Sequence, residues 1–169
     1  PAPYLANRNV QWERCSLDDL DEMDFTQSER VKYSLEPGDV LVCEGGEVGR
    51  TAIWYGELET CFFQKAIHRL RARGQVMPEF MLHYMKYASE LDLFKMYTSQ
   101  TSIAHLTSEQ LACLSIPVPS KEVQASVVRA LAALSERLEV ESEELQKTRR
   151  MRNGLAIDLL SGGVRTVAA

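Results

Sequence analysis

Between Ser120 and Leu160 the chain reads as one uninterrupted amphipathic helix, and no other stretch restricts the architecture as much. Val127, Leu131, Leu134, Leu138, Glu141, Leu145, Thr148, Arg152, Leu155 and Leu159 are spaced alternately by four and three residues. That heptad spacing lines up one side of a helix. The flanks carry charge, with Glu136, Arg137, Glu143, Glu144, Lys147 and Arg150 among them, as in a coiled-coil strand. At 1.5 Å per residue the helix is roughly 60 Å long, whereas a domain of about 120 residues is only some 30 Å across. A second helix is therefore expected along Val127, Leu131, Leu134, Leu138, Leu145, Leu155 and Leu159.

Glu141, Thr148 and Arg152 stand where apolar residues pack best. Such positions fix register or meet a partner of opposite charge; the alternative is a solvated stretch of helix packed only at its ends. Pro117, Pro119 and Ser120 mark the start, with Glu122 placed well against the helix dipole, and Ser161-Gly162-Gly163 marks the stop. Gly154 inside the pattern predicts a close backbone approach or a local bend. The predicted organisation is α+β: a small mixed domain over residues 1–119, one long coiled-coil helix over 120–160 and a short tail over 161–169.

The formal net charge is -5. Basic and acidic residues balance in the helix, so the excess acid lies in residues 1–119, which is poor material for a generic nucleic-acid binder. Asp18, Asp19, Asp21, Glu22, Asp24 and Glu29 concentrate it early, and the balance reverses between Thr60 and Gln100. No apolar run approaches 18 residues and no signal-peptide pattern is present, which predicts a soluble, cytoplasmic protein without a membrane partner. Cys15, Cys43, Cys61 and Cys113 are scattered, which predicts reduced thiols, not disulfides or a zinc site. The chain begins at Pro1, not methionine, which predicts processing or excision from something longer, with a first strand missing.

In chain order, Asp18 to Arg30 suits a short helix or turn, and Val31 to Leu35 alternates in the manner of an extended segment. Glu36-Pro37-Gly38-Asp39 is a turn before the strand Val40 to Cys43. The glycines of Glu44 to Arg50 lack both G-K-[ST] and G-x-G-x-x-G, so they predict a tight turn into a return strand, Thr51 to Tyr55, and not a phosphate cradle. Thr60 to Arg73 reads as one extended run whose second half sets Ile67, Arg69, Arg71 and Arg73 on one face. That basic face is either a charge-protected edge or a phosphate-contacting surface, and Gln64 and Lys65 stand at its start. Glu79 to Tyr97 is helical, with Phe80, Leu82, Met85, Tyr87, Leu91, Phe94 and Tyr97 facing the core and His83 as a surface or packing residue. Thr107 to Gln110 suits a capped turn, and Leu114 to Pro119 a closing strand. No arrangement of His, Ser, Cys or acidic residues has the spacing of a catalytic or metal site.

Several segments together resemble the DNA-specificity subunit of type I restriction-modification systems. They are Leu35 to Val42 with Glu47-Val48-Gly49-Arg50; Phe63 to Ile67 with Arg69 to Arg71; Ser102 to Thr107 with Leu111 and Ile116 to Pro119; and Gly154 to Gly162 with Val164-Arg165. Where that family commonly has a Glu-Gln pair at the start of the long helix, Val123 precedes Gln124 here and the acid lies at Glu122. The resemblance implies a target-recognition domain, lacking part of its N-terminal region, followed by a helix that pairs antiparallel with another. It implies a non-catalytic subunit that directs adenine methyltransferase and restriction subunits to a split site in double-stranded DNA. S-adenosylmethionine and ATP then belong to those partners, with no cofactor on this chain. The second helix comes from another copy or from the other half of a longer subunit.

On that reading Lys65, Arg69, Arg71 and Arg73 hold phosphates, while Gln64, Gln100 and Thr101 are candidates for base edges. The competing reading is a coiled-coil scaffold whose acidic globular part never touches DNA.

Overall fold

The computed structural model describes residues 1–97 and 105–163. They fall into two compact units, Pro1–Val128 and Arg129–Ala169. The first unit contains strands β1 (Ala2–Leu5), β2 (Val10–Gln11), β3 (Arg14–Cys15), β4 (Asp21–Met23), β5 (Asp39–Cys43), β6 (Thr51–Ile53), β7 (Phe62–Phe63) and β8 (Ile67–Arg71). Helices α1 (Gln27–Tyr33), α2 (Pro78–Glu90) and α3 (Ser108–Ala112) lie among and after them, and α4 (Lys121–Leu160) begins in this unit.

The strands form sheets ordered β4-β1-β7, β2-β3 and β6-β5-β8. Strand β1 runs antiparallel to β4 and parallel to β7, while β5 is antiparallel to both β6 and β8. Strand β5 is buried on both faces, which explains its unbroken Val40-Leu41-Val42-Cys43 run where a one-sided strand would alternate. Leu41 and Cys43 enter one core with Leu5, Trp54, Phe62 and Ile67. Val40 and Val42 enter a second core with Ile53, Leu82, Met85, Phe94 and Leu106. Two hydrophobic layers thus share one strand.

Four local expectations are corrected. Val31 to Leu35 is not extended: α1 covers Gln27–Tyr33, started by a capping box in which Thr26 Oγ1 accepts from Glu29 N and Glu29 Oε2 accepts from Thr26 N. Thr60 to Arg73 is two strands in different sheets, because Gln64 O accepts from Ile67 N and turns the chain between β7 and β8. The helix of Glu79 to Tyr97 stops at Glu90; Asp92 takes φ 57 and a 3-10 turn, Leu93–Met96, follows. Tyr87 and Leu91 are consequently exposed and not core. Leu114 to Pro119 forms no strand, since Pro117 and Pro119 have no N–H to offer a ladder.

The β5–β6 turn agrees with the sequence reading. Asn7 Nδ2 donates to Gly45 O at 2.9 Å, and Arg50 Nη2 donates to Asn7 O and Oδ1 at 2.9 Å each. The glycine-arginine pattern is thereby a brace between this turn and the N-terminal 3-10 turn Asn7–Asn9.

The boundary between the units falls inside α4. Ser120 caps the helix, its Oγ accepting from Val123 N, and Gln124 is fully buried within the first unit. Beyond Val128 the helix continues without a break to Leu160, and Gly162 (φ 74) ends it. Within the chain Gly154 has open space around it. The seam residues Leu134, Leu138, Leu145 and Leu155 are all more than half exposed.

Candidate nucleic-acid interface

Among the described residues β8 pairs only with β5, so its other edge is free. An open groove of about 1090 Å³ runs there, lined by residues from both faces of β8 and by α3. Ile67, on the predicted basic face, packs into the first core. Two residues on, the Arg69 guanidinium stands 5.4 Å from the centroid of the Phe63 ring and donates to Ser34 O. This anchoring uses one N–H of a residue that itself lines the groove. Lys65, exposed, enters from the β7–β8 turn, and Lys32 enters from α1. Three cations from three elements thus line one groove.

Arg71 also lines it, and there it is engaged by two carboxylates. Its Nε and Nη2 meet Asp39 Oδ1 and Oδ2 at 2.7 and 2.8 Å, and its Nη1 meets Glu36 Oε1 at 2.9 Å. Asp39 is 1% exposed and also accepts from Glu36 N. A buried carboxylate requires such a partner, so Arg71 holds the Glu36–Asp39 turn to β8. Gln64 and Arg73 do not line the groove: Gln64 is half-buried in the link before β8, and Arg73 is exposed after it. Gln100 and Thr101 lie outside the described residues.

The opposite wall comes from α3. Thr107 caps it reciprocally with Gln110, and Thr107, Ser108 and Glu109 line the groove. His68 ties the walls together through a 2.6 Å hydrogen bond between Nε2 and Leu106 O. The hydroxyls of Thr107 and Ser108 add short polar groups of the kind that contact phosphate or base edges. Lys32, Thr107 and Ser108 are absent from the sequence-derived set. Their capping and surface positions were legible, but no local pattern places them beside β8.

No activated nucleophile stands out among the buried thiols. Burial pushes the Cys15 thiol up to about 12 and the Cys61 thiol up to about 11, and Cys43 upward as well. Thiols held that high are protonated at neutral pH and inert as nucleophiles. No group of three or more His, Cys, Asp or Glu among the described residues is arranged to hold a metal ion. No helix there is long and apolar enough to cross a membrane.

Sheet edge, groove and long helix are the parts of an α+β chain that ends in a long helix. The family model of the type I restriction modification DNA specificity domain matches residues 10–149, and the chain belongs to that family. Two solved structures share the fold. One, from work on complex assembly and conformational transition of the type I R-M system, is 21% identical with a TM-score of 0.66, over 91% of this chain and 36% of that one. The other, the HsdS subunit from Thermoanaerobacter tengcongensis, is 20% identical with a TM-score of 0.57, over 83% of this chain and 31% of that one. The chain spans about a third of the length of these proteins.

Proposed function

We propose that this chain is a non-catalytic DNA-specificity module. In it the unit Pro1–Val128 reads one part of a split double-stranded target, and α4 carries the assembly that brings adenine methyltransferase, and through it a restriction subunit, to that target. The observation that carries the reading is the convergence of Lys32, Lys65 and Arg69 on one groove beside a free strand edge, in a chain whose net charge is otherwise negative. A local cationic strip in an acidic protein favours one docking site over indiscriminate binding. In this reading Lys32, Lys65, Arg69 and Arg73 hold phosphates. Gln64, Thr107, Ser108, Gln100 and Thr101 supply hydrogen bonds to base edges or sugar. S-adenosylmethionine and ATP are bound by the partner subunits.

Salt dependence tests it. The slope of log K against log salt for duplex binding is expected to fall by about two units in the double variant Lys65→Ala with Arg69→Ala. Arg71→Ala is expected to leave the slope unchanged while lowering stability by about 1–2 kcal/mol, discounted because this arginine is 41% exposed. Salt-insensitive or absent binding by the intact chain, with α4 still able to pair, favours the scaffold reading. An unchanged slope in the double variant removes the groove from the interface.

A further inference from the structure

We infer that Glu44 is a specificity-determining residue that selects cytosine, its carboxylate accepting from the exocyclic N4 amine of that base in the major groove of a duplex. The inference rests on the reading of the groove as a DNA interface and adds to it the residue that decides one base pair.

Strand β5 ends at Cys43, and Glu44, the next residue, lines the groove beside β8. A smaller recess of about 440 Å³, walled by Asn7, Gly45, Gly46 and His105, also includes Glu44 and Lys65 in its lining, so the two hollows share this pair. The Glu44 backbone is held on both sides, its N–H donating to Ala66 O at 3.0 Å and its carbonyl accepting from Leu106 N at 2.8 Å. The next peptide is tied as well, since Gly45 O accepts from Asn7 Nδ2 at 2.9 Å. The carboxylate is thus carried by a fixed stretch of backbone, which reading a base edge requires. Gly45 leaves room for the His105 ring, because a Cβ there would lie 3.2 Å from His105 Nδ1. His105 accordingly stands beside Glu44, with Nδ1 3.9 Å from Oε1.

A carboxylate is out of place in a strip built only to hold phosphates. Glu44 shares the groove with Lys65 and Arg69, yet among the described residues neither forms an ion pair with it, and its side chain is 29% exposed. Glu109, the other carboxylate of the groove wall, differs. Hydrogen bonds from its own backbone N–H and from Thr107 and Ser108 hold its carboxyl below the usual range, so its charge is satisfied at the start of α3. Glu44 has only lone pairs to offer and is complementary to a donor. In the major groove of a duplex the donors are cytosine N4 and adenine N6. Their flanks decide between them. The adenine amine lies between two acceptors, its own N7 and O4 of the paired thymine, whereas cytosine N4 has guanine O6 on one side and a C–H on the other. A carboxylate therefore meets one repulsive neighbour fewer on cytosine. The His105 ring carries an N–H in either tautomer and complements that O6.

Selection of duplexes from a random-sequence pool at low salt, by the full chain and by its Glu44→Gln variant, tests the assignment when the bound DNA is sequenced. The parent is expected to enrich a motif with one invariant C·G pair. Glu44→Gln is expected to keep the rest of the motif and to exchange that pair for A·T, because an amide pairs bidentately with adenine N6 and N7. The preference for cytosine over adenine at that position is expected to fall about tenfold or more. N4-methylcytosine placed there puts a methyl group where the free amine hydrogen was, and is expected to weaken the parent by a similar factor. A carboxylate without a base to read gives a different result: Glu44→Gln then binds every sequence more tightly, through the loss of one negative charge, and enriches the parent's motif unchanged. That outcome overturns the inference and spares the function proposed above. A parent that enriches no motif overturns the DNA reading and this inference together.

Discussion

Gly49→Ala is expected to destabilise the Pro1–Val128 unit by about 3–4 kcal/mol, enough to remove much of the stability of a domain this size. Two separate costs add at this position. Gly49 holds φ +80, in the left-handed region where a side-chain-bearing residue is strained by roughly 1–2 kcal/mol. A Cβ there would also fall 2.7 Å from Cδ2 and Cζ of Phe94, and closer still to Cε2. Phe94 is 5% exposed and packed in the second core, so its ring has nowhere to swing. The backbone is tied on both sides as well, with Gly49 N donating to Cys43 O and Thr51 Oγ1 donating to Gly49 O at 2.7 Å. Gly38→Ala separates the two costs, since Gly38 has φ +91 but open space around it. It is expected to cost only the backbone strain, roughly 1–2 kcal/mol. Urea unfolding monitored by near-ultraviolet circular dichroism measures both variants. Equal midpoints would mean that Phe94 yields, and that the turn is glycine-rich for conformation alone.

That contrast also shows what was legible from the residues. The turn at Gly45–Gly49 and the strands around it follow from local chemistry, as do the long helix and the capped turn at Thr107. Each depends on neighbours a few residues apart. The errors fall where a distant group decides. The alternation of Val31 to Leu35 looked extended, but the Thr26–Glu29 capping box outweighs it and only Tyr33 of α1 is buried. The arginines of β8 looked equivalent because they share a face. Arg71 is distinguished by a carboxylate 32 residues earlier, and Arg69 by an aromatic ring on a different strand. Lys32 joins the candidate interface only because α1 and β8 border one groove. Charge pattern along a chain identifies a basic face, whereas the partners that occupy or free each cation are set by tertiary packing.

Gln124→Leu is expected to lower the stability of the same unit by about 2–4 kcal/mol, although it keeps size and raises hydrophobicity. Gln124 is 0% exposed, and its amide is used at both ends. Oε1 accepts from Met77 N at 2.8 Å, while Nε2 donates to Pro119 O at 2.8 Å and to Gln75 O at 3.1 Å. Met77 is the N-cap of α2, and its side chain makes no capping hydrogen bond. One amide thus holds the start of α2, the segment before it and the residue before the cap of α4. Leucine fills the space and leaves a buried donor and two carbonyls unpaired. The estimate is kept low because Gln75 is exposed and its carbonyl can recruit water. Gln124→Glu distinguishes hydrogen bonding from packing. As a carboxylate the new side chain still accepts from Met77 N but opposes two carbonyl oxygens, so its pKa in the folded state is raised. Its contribution is then fullest at low pH, where the protonated carboxyl can donate, and is lost as pH rises through the folded pKa. The parent and Gln124→Leu lack that dependence at this site. If Gln124→Leu unfolds at the parent's urea midpoint, the clasp contributes nothing. If the midpoint falls, the first turns of α4 are part of the fold of the Pro1–Val128 unit.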